Sequence, residues 1–374
     1  MITINLLPTQ PSLYQQAMVQ LTGLVRGVTR FQADTVMEQV EGLRDRLLAA
    51  GVQTPGISRL FARFYDLYSD QELTPDSAQT LLRQMKTGLP SLIEGYDELE
   101  PIGFGGFSRV YRGLETETGR LVAIKVAARN QEGSPTLNSA TLERLTRAFD
   151  NEWAILSRFR DSERIVNAHA YGKTDRGKPY IVMEYLDGGT LSQFIVDTNE
   201  GRRKFDLDQT LSMGLEASQS LAVLHEEAYI HNDVKAGNFL LSRDVRVKLA
   251  DCSMATTVKE AAEAKGFRRD YRGTPGFIAV QTTETPKKDV LALGATLYSL
   301  LTGKRAFNPK NPVATMLFTP PAPSKIRPER KIPPRFDKIV LRALSADPVK
   351  RYPDAMAVAE ELEKITRKKQ RPRR

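Results

Sequence analysis

Apolar residues recur at three- and four-residue steps through the first part of this chain. Val36, Val40, Leu43, Leu47 and Leu48 form one stripe, and Leu60, Phe61, Phe64 and Leu67 form another. At 3.6 residues per turn such spacing gathers the apolar side chains on one face, which predicts amphipathic helices over residues 31–50 and 57–67. Gly51 and Pro55 punctuate the first. A further helix is expected over residues 12–26. Thr74-Pro75-Asp76 reads as the start of one reaching about Met85, with proline at the first helical position and an acid in the first turn. These helices imply a small all-helical N-terminal domain over residues 1–94. Its stripes read as its own core, with a binding groove as the other reading.

The period changes near Tyr96. Residues 98–110, 120–127 and 180–183 read as strands, with turns at Gly119 and Gly177. After Leu191 the pattern is mostly helical. The apolar run at 290–301 is too short for a membrane span and contains Gly294, Thr296, Tyr298 and Ser299, so it suits a buried helix. A strand-rich part followed by a helix-rich part predicts an α+β, two-lobed architecture.

Composition narrows the class. The 374 residues are 41% hydrophobic and 26% charged, which is a soluble globular balance. One cysteine, Cys252, excludes an intramolecular disulfide and fits a reducing compartment. The N-terminus lacks the basic start, apolar core and small-residue cleavage site of a classical secretory leader. A cytoplasmic location is therefore expected, with export by a non-classical route left open. The net charge is +9, concentrated in a tail at 367–374 and in a cluster of Lys325, Arg327, Arg330, Lys331, Arg335 and Lys338. Such a tail is either a solvated terminus or a contact for anionic surfaces. No zinc-finger spacing or interleaved aromatic-basic stripe accompanies it, so no specific nucleic-acid partner is expected.

Two groups of residues carry candidate chemistry. Gly103-Phe104-Gly105-Gly106-Phe107-Ser108-Arg109-Val110 lets backbone amides approach phosphate oxygens. It has no Gly-Lys-Ser/Thr ending, and a strand follows where a dinucleotide fingerprint needs a helix. A plain glycine-rich hairpin is the alternative. Lys125, flanked by strand residues, either snorkels or pairs with phosphate. The second group is Asp233, Asn238 and Asp251. Phosphoryl transfer needs a carboxylate to orient the attacking hydroxyl and oxygen ligands for magnesium. A loop, a short strand pair and another loop would bring the three together. Each alone reads equally as a solvated turn residue.

These motifs, in this order, resemble the protein-kinase family, specifically the eukaryotic-like serine/threonine kinases found also in bacteria, over residues 96–365. The resemblance implies a bilobal kinase-like fold, with a kinase domain at 95–366 (small lobe 95–186, large lobe 187–366), and the use of ATP and Mg2+ on a protein substrate. Gly103 and Gly105 match the glycine loop, with Ser108 in place of its third glycine. Lys125 matches the phosphate-pairing lysine, and Glu152 its helix partner. Met183, Glu184 and Leu186 fall on the strand and hinge that hold adenine, and Val110, Ala123 and Leu240 on the walls that sandwich it. Asp233 matches the residue that orients the hydroxyl and takes its proton. Lys235 matches the charge-neutralising lysine of serine/threonine kinases, and Asn238 and Asp251 match the metal ligands. Asp289 is implied as a brace for the catalytic-loop backbone.

The departures are specific. Asn232 replaces an arginine that often pairs with a phosphorylated activation loop, which implies activity independent of that latch. Asp251-Cys252-Ser253 stands where the family has Asp-Phe-Gly, and Gln281 replaces a glutamate that normally pairs with the residue at Arg351. A nucleotide-binding pseudokinase is the alternative, and phosphotransfer to a non-protein acceptor a third reading. The N-terminal helices are expected to dock a substrate, bind a regulator or pack on the small lobe.

Overall fold

Residues 121–127, Leu-Val-Ala-Ile-Lys-Val-Ala, carry a β-branched side chain at every second position and form the central strand of a five-stranded sheet. The structure, a computed structural model, describes residues 33–49, 55–69, 73–74, 77–78, 93–104, 107–128, 139–174, 177–263, 285–307 and 319–370. These fall into two compact units, Met1–Phe149 with His169–Tyr185, and Asp150–Ala168 with Leu186–Arg374.

In chain order the first part contains α1 (Ala33–Ala49), α2 (Pro55–Ser69), β1 (Tyr96–Phe104), β2 (Ser108–Glu115), β3 (Leu121–Ala127), α3 (Ser139–Arg158), β4 (Ala168–Lys173) and β5 (Pro179–Glu184). The sheet order is β1-β2-β3-β5-β4. Directly opposed residues of an antiparallel ladder share a face. The pairs Val110↔Lys125↔Ile181 and Arg112↔Ala123↔Met183 therefore put Val110, Ala123, Lys125, Ile181 and Met183 on one face. The other face carries Tyr111, Val122, Ile124, Val126 and Val182, packed with Leu99, Tyr96, Ile93 and Ala62 of α2.

That second face is covered by α2, on which α1 packs. Asp66 of α2 pairs with Lys178, and both are almost fully buried. The Arg109 guanidinium of β2 lies 5.1 Å from the ring centroid of Tyr65, also in α2. Arg44 of α1 donates to the Tyr65 hydroxyl at 2.6 Å, and Tyr68 donates to Asp34 at 2.7 Å. The Asp34 bond, with burial, pushes the Tyr68 phenol up to about 12.

The periodic segments keep their predicted identity. Helices expected at 31–50 and 57–67 form at Ala33–Ala49 and Pro55–Ser69. The expected start at Thr74 is a reciprocal cap. Ser77 N–H donates to Thr74 Oγ1 at 3.1 Å, and Thr74 N–H donates to Ser77 Oγ at 2.9 Å. Gly119 and Gly177 take φ of +69° and +74°, the left-handed backbone their turns require. The strand signal over 98–110 resolves into two strands, with β1 starting earlier, at Tyr96, and β2 running on to Glu115. The helix expected at 12–26, and residues 79–85 of the one expected to start at Thr74, lie outside the described residues.

The second unit contains α4 (Leu191–Asn199), α5 (Leu207–Glu226), β6 (Tyr229–Ile230), β7 (Phe239–Leu241), β8 (Val247–Leu249), β9 (Thr256–Thr257), α6 (Val258–Glu263), α7 (Pro286–Thr302), α8 (Pro323–Ile326), α9 (Pro334–Ala343) and α10 (Ala355–Gln370). Thr190 and Asp206 cap α4 and α5 by accepting from Gln193 and Gln209 amides. The apolar run at 290–301 is the buried helix α7, which packs with α5, α9 and α10. Gly294 permits that approach, since a Cβ there would sit 2.9 Å from Ala343 Cβ. Among the described residues no helix is long and apolar enough to cross a membrane.

The buried pair Asp66–Lys178 gives a direct test. Lys178→Met breaks a buried ion pair from one side and should cost up to about 3–5 kcal/mol. The double variant Asp66→Leu/Lys178→Met should recover most of that loss. Urea unfolding, followed by a probe in the sheet, measures both.

Candidate active site

His231-Asn232-Asp233-Val234-Lys235-Ala236-Gly237-Asn238 connects β6 to β7, and its shape is set by one carboxylate. Asp289, in the first turn of α7, accepts from His231 N–H at 2.6 Å and from Asn232 N–H at 3.0 Å. The His225 ring lies 3.1 Å from the same carboxylate. His225 Nδ1 accepts from the Ala355 amide, so its Nε2–H is the atom that donates to Asp289. His231 follows the same logic. Its Nδ1 accepts from Asp233 N–H, leaving Nε2–H to donate to the Ala250 carbonyl at 3.2 Å. Burial opposes ionisation of Asp289, but the hydrogen bonds from His225 and His231 outweigh it and hold the carboxyl below its ordinary range.

Within the loop the three chemical side chains touch. Lys235 Nζ donates to Asp233 Oδ2 at 2.6 Å, and Asn238 Nδ2 donates to the Asp233 carbonyl at 2.8 Å. The Asn238 carbonyl accepts from Ala250 N–H at 2.8 Å, across the β7–β8 pair. Asp251 is the next residue. It takes a left-handed backbone (φ 60°, ψ 64°), and Ser253 Oγ donates to its Oδ1 at 2.8 Å. A glycine at 253 has no such donor. Cys252 is fully buried and opens a 3₁₀ turn, Cys252–Met254. The structure thus joins Lys235 and Asn238 to Asp233 and brings the residue before Asp251 onto Asn238, through the strand pair foreseen from the spacing of Asp233, Asn238 and Asp251.

Asn232 stands in a left-handed conformation (φ 67°), which asparagine tolerates better than most residues. Its Nδ2 donates to Thr256 Oγ1 at 2.9 Å and to the Met254 carbonyl at 3.1 Å. Its Oδ1 accepts from Lys288 Nζ at 3.1 Å. Neutral hydrogen bonds therefore join this position to the segment after Asp251. Arg351 is buried and donates to the carbonyls of Ser345 (2.7 Å), Ala346 (3.2 Å) and Lys287 (3.3 Å). Burial lowers its pKa, and Asp347 pulls the other way. Gln281 lies outside the described residues.

Lys125 is buried on the sheet face shared with Val110, Ala123 and Met183, its Nζ 5.8 Å from the Phe149 ring centroid. Gly103 pairs with Val110, and Ser108 with Ala127. Gly105 lies outside the described residues. Glu184 pairs with Val122, so its side chain belongs to the opposite sheet face. Leu186 and Leu240 are half-buried, and Leu240 bridges to Thr190. Glu152 is fully buried in α3, and the adjacent Asn151 donates to the Ala255 carbonyl at 3.1 Å.

Three participants were not foreseen. His225 completes the Asp289 cluster, Lys288 meets Asn232, and Thr256 accepts from it. His225 and Asp289 lie far apart in sequence, so no local spacing links them. The only hint is that His225 and His231 are two of the three histidines in the chain.

A five-stranded sheet of this order, a loop braced from a buried aspartate and the Asp233–Lys235–Asn238 group define a protein kinase domain. A family model described as "Protein kinase domain" matches residues 96–362, and the chain belongs to that family. It is 32% identical over 297 residues to serine/threonine-protein kinase PknK of Mycobacterium tuberculosis (strain ATCC 25618 / H37Rv), covering 76% of this chain and 25% of that protein. It is 30% identical over 284 residues to a probable serine/threonine-protein kinase, SCO3848, of Streptomyces coelicolor (73% and 40%). It is also 30% identical over 270 residues to serine/threonine-protein kinase PknL of M. tuberculosis (71% and 64%). The chain spans between a quarter and just under two thirds of these relatives' length.

Removing the brace strands two buried amides, each worth about 1–3 kcal/mol. Asp289→Ala should therefore lower stability by about 2–6 kcal/mol in denaturant unfolding and speed hydrogen exchange at His231 and Asn232. Because the folded carboxyl sits below its unfolded value, its contribution is complete above the ordinary carboxylate range. It fades as pH falls through that range toward the folded value. The gap between wild type and Asp289→Asn should shrink over the same interval.

Proposed function

We propose that this chain transfers the γ-phosphoryl group of ATP to serine or threonine hydroxyls of proteins. The observation that carries the reading is the catalytic loop, in which Lys235 and Asn238 both bond to Asp233 while Asp289 fixes the backbone. Asp233 orients the incoming hydroxyl and receives its proton, and Lys235 offsets charge beside it. Lys125 meets phosphate oxygens, with Glu152 as its counter-charge. Gly103, Gly105 and Ser108 offer backbone amides. Val110, Ala123, Met183 and Leu240 wall the adenine, and Glu184 and Leu186 hold its edge through backbone groups.

The donor chemistry fits magnesium and ATP. Asn238 spends Nδ2 on the Asp233 carbonyl, which leaves its amide oxygen for a cation, and Asp251 adds a carboxylate. Hard oxygen ligands in this small number suit magnesium, which completes its shell with water and phosphate. Magnesium and ATP together supply the electrophilic phosphoryl group and neutralise its charge. The relatives' names support a protein hydroxyl as acceptor.

The proposal extends to regulation. Asn232 joins the loop to Met254, Thr256 and Lys288 through hydrogen bonds that need no phosphate. Activity is therefore independent of the arginine latch. We also assign residues 95–366 to the kinase domain and leave the basic tail as a contact for anionic surfaces.

Incubation with magnesium and labelled ATP tests the reading. Wild type should phosphorylate itself or a protein acceptor on serine or threonine, and Asp233→Asn should lose about 10²–10⁴-fold in rate. Lys125→Ala should also lose transfer. Asn232→Ala should lower the rate by about tenfold, the cost of roughly one well-made hydrogen bond in the transition state. Nucleotide binding with no transfer in wild type would overturn the kinase reading in favour of a pseudokinase.

A further inference from the structure

Three segments meet where α4 and α7 end. Asn199, the last residue of α4, donates to the Gly303 carbonyl at 2.8 Å. Arg327 Nε donates to the Thr302 carbonyl at 2.8 Å, and its guanidinium also reaches Asn199 Oδ1 at 3.5 Å. Arg330 donates to the Leu301 carbonyl at 2.6 Å and lies 4.1 Å from the Phe205 ring centroid. Arg327 and Arg330 thus satisfy the last carbonyls of α7, which is a structural task.

The positive charge around this junction exceeds that task. The acids of the three segments are already engaged. Asp197 and Glu200 pair with Arg202, Asp206 caps α5, and Glu329 pairs with Arg327. Arg203, Lys204, Lys304, Arg305, Lys325 and Lys331 are exposed, and each stands within two residues of a contact named above. Among the described residues no carboxylate lies within ion-pair distance of any of these six. Residues 308–318, outside the described residues, add Lys310 and no acid. The field is felt inside the junction, where burial and then the Arg327 charge lower the pKa of Arg330. Like charges gathered at this density repel one another and attract an anion.

The surroundings select among anions. The Phe205 ring is taken by Arg330 and the Phe194 ring by Arg203, at 5.2 Å, so neither offers a platform for a nucleic-acid base. Val196, on the α4 face that holds Asn199, is the one large apolar residue of these segments that is exposed, which gives no wedge for a bilayer. Helix α4 starts at Thr190, which bridges to Leu240 of the proposed adenine wall, and its nine residues carry the chain about 14 Å to the junction. An extended peptide covers that length in about four residues. We propose that this surface docks an acidic segment of the protein substrate, at least about four residues from the hydroxyl that receives phosphate. The kinetic consequence rests on the kinase reading, and the binding itself does not.

Full-length Lys304→Glu/Arg305→Glu/Lys331→Glu tests it against a charge-matched control, Arg160→Glu/Lys173→Glu/Lys350→Glu, whose sites are exposed elsewhere. Fluorescence anisotropy reads binding of a labelled decaglutamate peptide. Wild type should bind it in a salt-dependent way, the junction variant at least about tenfold more weakly, and the control within about twofold of wild type. Should reversal unfold the chain, Lys304→Gln/Arg305→Gln/Lys331→Gln carries the same comparison. In transfer assays, a serine peptide with a glutamate run about five residues from the serine should show KM about tenfold higher in the junction variant, with kcat within about twofold. KM for the same peptide with a neutral run should not change. Equal decaglutamate binding by the junction variant and the control overturns the assignment. So does a wild type that binds phosphatidylserine vesicles or a single-stranded oligonucleotide and not decaglutamate. The anisotropy result needs no catalysis, so failure of wild type to transfer phosphate overturns the kinase reading alone.

Discussion

The Asp289 carboxylate sits in the first turn of α7 and accepts from the His225 ring and from the backbone amides of His231 and Asn232. A buried anion is costly unless its hydrogen bonds are complete, and here they are supplied by groups that themselves need an acceptor. The N-terminal turn of a helix also favours negative charge. This one group fixes the backbone on which Asp233 is carried. From there a chain of bonds runs through the Asp233 carbonyl to Asn238, and through the Asn238 carbonyl to Ala250, beside Asp251. The spacing of the chemical side chains thus depends on bonds to the main chain, one of them made by the Asn238 amide itself.

The departures from the family pattern are absorbed in a consistent way. Asn232 replaces a charged residue and makes neutral bonds to Met254 and Thr256, with Lys288 on its oxygen. Ser253 replaces a glycine and adds a bond to Asp251, which ties that carboxylate to its own turn. Arg351 is satisfied by three carbonyls. At Asn232 and Ser253 the replacing side chain makes hydrogen bonds of its own to the segment that carries Asp251.

The elements with a strong period were legible in sequence: among the described side chains Val36 and Val40 of α1, Phe61 and Phe64 of α2, β3 beyond Leu121 and most of α7 are buried as their patterns state. The Asp233–Asn238–Asp251 group was legible because its order and spacing leave one economical arrangement, a loop and a strand pair. What lay beyond the sequence depends on long-range partners. The stripe on α2 announces a buried face but not what covers it, and Ala62 in fact shares a core with Ile124 and Val126. Asp66 reads as a solvated acid among apolar neighbours until Lys178 is placed against it. Arg109 reads as a charge at a loop edge until Tyr65 arrives from a helix over forty residues earlier. His225 gives no local sign of its bond to Asp289, since a lone histidine in a helix is more often a packed core residue.

The central claim is that the catalytic loop is held in working form by Asp289 and by neutral bonds at Asn232, with no phosphate required. Treating the wild-type chain with a phosphatase, removing the phosphatase, and following the first seconds of transfer to a peptide substrate tests this most directly. The account predicts product formation that is linear from the first turnover. A lag that disappears after preincubation with MgATP would contradict it, because the loop would then depend on a charge it acquires.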